Sequence, residues 1–307
     1  MKVSLLVPAY NERENIPELL ETTREFFEKN AIQDWEMIVI NDGSTDGTGE
    51  LLEELKPRYP FLKVAHHRRN QGVSAGLLTG FLHSSGEILV YYAADMQFSL
   101  EDVKRMVETM EREGVDIVAG KKVGKYEKKL VSKIYNWLSA KLFDLPVTDL
   151  NSMKAMRREI FEEIPMRKDW HRYIIPLAYH KGFKVTEIPV TLYPRRHGDS
   201  KYKGVGRILI GFLDLIAVKF QITFMQKPML FFGTLGLFSM AGGVVVGLVS
   251  LYLRFILHHG YRPLAYLVML LILMGLILFA IGFLGELIAA QNDRMELFLR
   301  QQSQRRT

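Results

Sequence analysis

The sequence predicts an α/β protein with a mostly parallel sheet, continued by an amphipathic helix and a two-helix transmembrane hairpin. Three observations carry this. Over residues 1–120, short runs rich in Val, Ile and Leu alternate with helical stretches, and strand–helix alternation builds a parallel sheet covered on both faces. No charged residue occurs from Pro228 to Leu253 or from Pro263 to Gly285, and each stretch exceeds the roughly 20 residues a helix needs to cross a bilayer. Between the two regions, residues 206–224 are mostly Ile, Leu, Phe and Val, broken at helical spacing by Arg207, Asp214, Lys219 and Gln221. That is the pattern of a helix lying in the membrane interface.

The strands are expected at 2–8, 35–41, 61–67, 87–93 and 115–120, and the helices at 14–29, 46–55, 72–83 and 99–112. Pro8 ends the first strand, and Asn11 is of the type that caps the helix after it. After the second strand, Gly43 and Gly47 permit tight backbone, while Ser44, Thr45 and Asp46 are capping residues. In "RNQGVSAGLLTG", Gly72, Ala75, Gly76 and Gly80 put small residues on one side of a helix, so it can lie close to the sheet or to a ligand. This string is neither a Walker loop nor a dinucleotide fingerprint, so ATPase and dehydrogenase readings lose their main support.

Ligands of parallel sheets bind beyond the carboxyl ends of the strands. Those ends read "PAYNE" (8–12), "NDGSTD" (41–46), "RRNQG" (68–72) and "AADMQ" (93–97). They converge on one edge. Asp42, at a strand end beside a glycine turn, can accept from a ribose hydroxyl pair or a base N–H. Asp95 is a lone acid at the end of an apolar run, with the amide Gln97 two residues on.

The chain has no cysteine, which excludes disulfides, thiolate metal sites and cysteine nucleophiles. Its net charge of +6 suits acidic partners: nucleic acid, phosphorylated ligands or anionic lipid. Nucleic acid is disfavoured, because the basic residues gather beside the membrane segment. The opening "MKVSLLVPAYNERE" does not read as a signal peptide, since its short apolar stretch runs at once into a proline and charges. Two crossings put both termini on one side. Lys201, Lys203, Arg207, Lys219, Lys227, Arg294, Arg300, Arg305 and Arg306 lie there, against Arg254 and Arg262 in the connecting loop. The positive-inside rule then makes the soluble domain and both termini cytoplasmic. Glycines along the first span (Gly233, Gly236, Gly242, Gly243, Gly247) permit close helix packing, and a homo-oligomer is compatible with them. The expected organisation is a soluble domain at 1–203, an amphipathic juxtamembrane helix at 204–226, two spans within 227–290 (228–253 and 263–287), and a polar basic tail at 291–307.

As a set, "VPAYNE", "NDGSTDGT", "RNQGVSAGLLTG" and "AADMQ", in this order, resemble the family-2 glycosyltransferases of GT-A fold. The stretch 169–202, with Arg195, Gly198, Ser200, Lys201 and Tyr202 in an R-x-x-G-x-S-K-Y element, is similar to the polyprenyl-phosphate subgroup that includes dolichol-phosphate mannose synthases. The resemblance implies that Pro8, Tyr10, Asn11, Glu12, Asp42, Asn70 and Gly72 hold a nucleoside-diphosphate sugar. It implies that Asp95, with Gln97 beside it, binds Mg²⁺ or Mn²⁺ on the diphosphate, and that Asp149 is an acid near the reaction centre. Lys122 and Lys129 stand where the family often has arginines, with Ser132 following. With Arg195, Ser200 and Lys201 they are implied to bind the phosphate of a polyprenyl phosphate acceptor. The family also implies inversion at the anomeric carbon. Members usually read Asp-x-Asp-x-Gln where this chain reads Ala93-Ala94-Asp95-Met96-Gln97. One carboxylate suffices if substrate phosphates and water complete the ion's shell. Two other readings stand beside this one. A processive polysaccharide synthase is opposed by the missing Q-x-x-R-W string and the C-terminal position of both spans. A catalytically degenerate membrane protein binding lipid or a partner is favoured by the missing first acid. The sugar, the base and the polyprenol are left open.

Overall fold

The computed structural model describes residues 2–123, 137–139, 141–164, 166–196, 206–224 and 227–304. The chain separates into two compact units, Met1–Arg207 and Ile208–Thr307.

The first unit is built on β1 (Val3–Ala9), α1 (Ile16–Lys29), β2 (Trp35–Asn41), α2 (Thr48–Leu55), β3 (Leu62–His66), α3 (Val73–His83), β4 (Ile88–Tyr91), α4 (Leu100–Glu113), β5 (Ile117–Val123), β6 (Lys154–Arg157), α5 (Arg158–Glu163), α6 (Ile174–His180) and β7 (Val185–Thr191). The seven strands form one sheet in the order β3-β2-β1-β4-β6-β5-β7. β1 pairs in parallel with β2 and β4, and β5 with β7. β6 is antiparallel to both β4 and β5. All strands but β6 therefore point the same way, and the five strands expected from sequence are each present. β6 and β7 were not among the expected strands. β6 parts β4 from β5, which the local pattern does not reveal.

The pleat sends alternate residues to opposite faces. Val3, Leu5 and Val7 join Met37, Val39 and Val90 under α1 and α4, where Leu19, Leu20, Val103 and Met106 close one core. Leu6, Ile38, Ile40 and Leu89 face the other core, with Leu77 of α3, Ile160 of α5 and Ile174 of α6. α3 lies tight on the sheet: a Cβ at Gly76 would sit 3.0 Å from Pro8 Cβ, and one at Gly80 3.0 Å from Ile40 Cδ1. The small residues of α3 thus serve sheet packing. Ser99 caps α4, its hydroxyl accepting the Glu101 N–H at 3.1 Å, and Gly114 at φ +60° ends it.

Two local expectations change. Pro8 does not end β1; the strand continues through Ala9, with Pro8 opposite Ile40. β4 pairs with β1 only as far as Leu6; the next donor on that side would be the N–H that Pro8 lacks, and pairing with β2 carries β1 on to Ala9. Asn11 does not cap α1, which starts at Ile16 after Asn15. It sits at φ +53°, and its side chain turns across to the next loop.

The second unit contains most of α7 (Gly206–Phe224), a π-helical turn (Met229–Gly233), α8 (Thr234–Phe255) and α9 (Arg262–Gln304). α7 exposes Phe212, Leu213 and Ile216, whereas Leu215 and Val218 are buried. The Phe220 ring meets Phe231 and Phe232 at 6.2 and 5.8 Å. Met229–Phe255 and Arg262–Asn292 are long and apolar enough to cross a membrane, and only 17% and 11% of their most apolar stretches are buried. Core helices of a soluble domain would be mostly buried. The two pack through small residues: a Cβ at Gly236 would lie 2.6 Å from the Gly275 carbonyl oxygen, and one at Gly243 2.8 Å from Ile272 Cγ1. Ser239 Oγ donates to the Leu271 carbonyl at 2.8 Å. Gly242 meets nothing within 4 Å, and Gly247 makes only ordinary contact with Val268. α9 runs for 43 residues, roughly 65 Å at ~1.5 Å per residue. It carries the polar tail on as helix, because no Gly or Pro follows Gly285.

Candidate active site

The carboxyl ends of β1, β2, β3, β4, β5 and β7 share one edge of the sheet. β6 runs the other way, so its amino end and the loop before it, with Asp149, reach that same edge.

The first two loops are interlocked. Asn11 N–H donates to Ser44 Oγ at 2.9 Å, and Thr45 N–H to Asn11 Oδ1 at 2.8 Å. Glu12 N–H reaches Thr48 Oγ1 at 3.1 Å, and Arg13 N–H reaches Asp46 Oδ2 at 3.1 Å. Glu12 Oε2 accepts from Asn15 Nδ2 at 2.6 Å. Asp42 is buried and holds the loop after β3. Its Oδ1 accepts the Gln71 N–H at 2.8 Å and meets His67 Nδ1 at 2.7 Å, and its Oδ2 accepts the Gly72 N–H at 2.8 Å. Gly72 has φ +88°. Gly43, at φ +69°, passes so close that a Cβ would stand 2.4 Å from the Arg69 carbonyl carbon, so only glycine serves there. Asn70 is exposed at the tip of this loop, and Tyr10 is half-buried at the exit of β1. Pro8, Tyr10, Asn11, Glu12, Asp42, Asn70 and Gly72 thus gather at the exits of β1, β2 and β3.

Asp95 lies in a tight turn after β4. Met96 N–H donates to the Ala93 carbonyl at 3.3 Å, with Met96 at φ +50°. Gln97 N–H points at Asp95 Oδ1 at 3.3 Å, and Arg195 Nη2 sits 2.9 Å from Asp95 Oδ2. Burial pushes the Asp95 carboxyl up. Arg195 and the Gln97 N–H oppose this, Glu12 adds to it, and the net direction is upward. Gln97 is turned toward the segment after β7: its Nε2 donates to the Tyr193 carbonyl at 3.2 Å and its carbonyl accepts the Tyr193 N–H at 2.9 Å. Among the described residues no three His, Asp or Glu side chains come together as a metal cage. Asp95 offers a hard carboxylate oxygen, which fits Mg²⁺ or Mn²⁺ when most ligands come from a diphosphate and water.

Asp149 is buried beside Lys122. Lys122 Nζ lies 3.5 Å from its Oδ2, and Asn151 N–H donates to Oδ1 at 3.0 Å. Next to them is a lysine that sequence reasoning did not single out. Lys154 opens β6, opposite Tyr91, and is fully buried. Its Nζ donates to the Leu150 and His171 carbonyls at 3.1 and 3.3 Å and stands 5.8 Å over the Tyr91 ring. Burial lowers its pKa, Asp149 raises it, Lys122 and Arg172 lower it, and the result is about 7. Buried His171 is tied to Ser74, its N–H donating to Ser74 Oγ at 3.2 Å and its Nδ1 3.1 Å from the same atom. Burial, then Lys154 and Arg172, push its pKa well down. The only sequence signal for Lys154 is its place between the apolar residues Met153 and Ala155.

The structure therefore joins Asp95 to Arg195 and Gln97, Lys122 to Asp149, and Asp42 to Gly72. Lys129, Ser132, Ser200 and Lys201 lie outside the described residues.

The sequence pattern of Glycosyl transferase family 2 matches residues 4–165. A dodecaprenyl-phosphate galacturonate synthase of Rhizobium johnstonii is 30% identical over 304 residues, covering 94% of this chain and 88% of its own. An undecaprenyl-phosphate 4-deoxy-4-formamido-L-arabinose transferase of Pseudomonas fluorescens is 32% identical over 259 residues, covering 82% and 73%. Among solved structures, glucosyl-3-phosphoglycerate synthase of Mycobacterium tuberculosis, in complex with Mn²⁺, UDP and glucosyl-3-phosphoglycerate, superposes with a TM-score of 0.54 at 17% identity, over 72% of this chain and 79% of that one. That likeness is one of fold. The strand exits, the matching family pattern and the long alignments agree: the chain belongs to glycosyl transferase family 2, and it is a glycosyltransferase of GT-A fold.

Proposed function

We propose that the protein transfers a sugar from a nucleoside-diphosphate sugar to the phosphate of a membrane polyprenyl phosphate, with inversion at the anomeric carbon. The observation that carries this is Asp95, one buried carboxylate at the end of β4 with a guanidinium 2.9 Å away. The relatives whose names specify dodecaprenyl and undecaprenyl phosphate support the acceptor class. The fold neighbour holding Mn²⁺ and UDP supports the donor class.

In this reading Asn11, Glu12, Asp42, Asn70 and Gly72 bind and orient the nucleotide, with Pro8 and Tyr10 at the exit of β1. Asp95, with Gln97 alongside, would hold Mg²⁺ or Mn²⁺. When bound, that ion neutralises the leaving diphosphate. Lys122, Lys129, Ser132, Arg195, Ser200 and Lys201 hold the acceptor phosphate, and buried Asp149 fixes Lys122. A phosphate oxygen attacks the anomeric carbon, the bond to the diphosphate oxygen breaks, and its electron pair leaves with the diphosphate. The acceptor is already an anion, so orientation replaces a strong general base. The two spans tether the chain to the bilayer that carries the acceptor, with the catalytic unit and both termini on the cytoplasmic side.

The test is a panel of UDP- and GDP-sugars given to the purified chain with undecaprenyl or dolichyl phosphate, with lipid products read by mass spectrometry. One donor should yield a phosphate-linked sugar lipid. EDTA and Asp95→Asn should each remove most of it, while Ala93→Asp should tighten metal binding without being needed for turnover. Turnover that survives both EDTA and Asp95→Asn would refute the metal role. Failure with every donor, acceptor and metal would favour the second reading, a lipid-binding protein that has lost catalysis, to which Ala93 in place of the family's first acid points.

A further inference from the structure

The segment after β7 is fastened at three consecutive contacts. Tyr193 exchanges two hydrogen bonds with Gln97, at 2.9 and 3.2 Å. Arg196 pairs with Glu18 of α1. Between them, Arg195 reaches Asp95 at 2.9 Å, with its side chain 24% exposed and that of Asp95 8%. Glu12 adds a further negative charge to the surroundings of Asp95.

A carboxylate this buried needs a partner. In this chain the position two residues before it is Ala93, so a second acid is missing and one guanidinium can satisfy the site. Asp95 and Arg195 together are neutral. A divalent ion arriving alone would have to displace Arg195 or sit beside its charge. A nucleoside diphosphate changes that balance, because its oxygens can ligate the ion and its charge frees the guanidinium fork to leave the carboxylate for phosphate oxygens, of the donor first and then of the acceptor.

We infer that Arg195 is the resident counter-cation of Asp95, a positioning residue that keeps a divalent ion off the carboxylate until a nucleoside diphosphate enters, and that then turns to phosphate oxygens. This rests on the donor reading above. Metal and nucleotide then bind with strong mutual coupling, which is reciprocal by thermodynamic necessity.

The experiment measures Mn²⁺ binding to the full chain in detergent by electron paramagnetic resonance, alone and with UDP or GDP. The wild type should bind Mn²⁺ weakly alone and far more tightly with the nucleotide. Arg195→Ala and Arg195→Gln should each bind Mn²⁺ alone about tenfold more tightly than wild type, from the removal of one nearby positive charge, and the gain from nucleotide should shrink. Arg195→Lys, which keeps a charge, should stay near the wild type. Two neutral variants guard against one failing to fold, with circular dichroism confirming the fold. If wild-type coupling is present but neither neutral variant gains affinity for Mn²⁺ alone, the inference is overturned and the donor reading stands. If no protein takes up Mn²⁺ with either nucleotide, the metal-dependent donor reading falls, and the inference falls with it.

Discussion

Removing the Asp42 carboxylate should release the loop after β3. Its two oxygens accept the Gln71 and Gly72 N–H groups, each at 2.8 Å, and His67 leans on the same carboxylate at 2.7 Å. A hydrogen bond to a charged group contributes about 1.5–3 kcal/mol. Asp42→Ala loses both backbone bonds; allowing for water entering the gap, the local cost is about 3 kcal/mol, or roughly 150-fold in the open population. Asp42→Asn is more instructive. Whichever way the amide turns, its NH₂ faces one of the two backbone donors, so one N–H loses its acceptor. That should cost about half as much, roughly tenfold in opening. The assay is amide hydrogen exchange of residues 67–72 in the full chain, with UDP and GDP affinity measured on the same samples. Exchange should speed up in the order wild type, Asn, Ala, with nucleotide affinity falling in parallel. Wild-type protection of 67–72 in Asp42→Ala would refute the reasoning. If nucleotide affinity were lost at the same time, Asp42 would serve the nucleotide by direct contact alone and not also by anchoring the loop.

Other outcomes follow from buried polar groups and from helix packing. Glu36 takes Ser4 and Ser85 on one oxygen and Lys63 on the other at 2.7 Å. Burial pushes its pKa up, but Lys63 and the serines outweigh that and hold it at about 2, below the ordinary 4.5. This stabilisation is present above the unfolded value and lost as pH falls toward 2. Glu36→Gln should cost about 1–3 kcal/mol at neutral pH and flatten the acid limb of the melting curve; an unchanged acid limb would contradict it. Lys154 behaves in the opposite sense. Its folded pKa of about 7 lies below the ordinary 10.5, so the unfolded chain holds more protons between these values and wild-type stability should rise with pH across that window. Lys154→Met should remove the slope in denaturation midpoints measured from pH 7 to 10, and equal slopes would count against the buried-amine account. In the hairpin, Gly236→Ala drives a Cβ to 2.6 Å from the Gly275 carbonyl, whereas Gly242→Ala meets nothing. Only the former should lower the melting temperature in detergent; equal effects would mean the helices do not pack as described.

The elements whose cause is local can be read along the chain. Apolar runs bounded by turn residues placed the first five strands and the helices between them. Two long charge-free stretches placed the hairpin helices, and a parallel sheet obliged the strand exits, with Asp42 and Asp95, to share an edge. Local chemistry also misled: Pro8 looked like a strand end and Asn11 like a cap. A proline can stand inside a strand where the pairing that continues lies on its other side, here with β2, and an asparagine serves as well by reaching Thr45 across a loop. Long-range packing sets the rest: it sends β6 in antiparallel between β4 and β5, and this insertion brings Asp149 to the edge and buries Lys154 against Tyr91. It also decided that Arg195 pairs with Asp95, a hundred residues away in sequence. Period and turn chemistry act over a few residues and can be read along the chain. Which distant cation answers a buried carboxylate depends on what the closed sheet brings within about 3 Å of it, and that geometry exists only once the chain has folded.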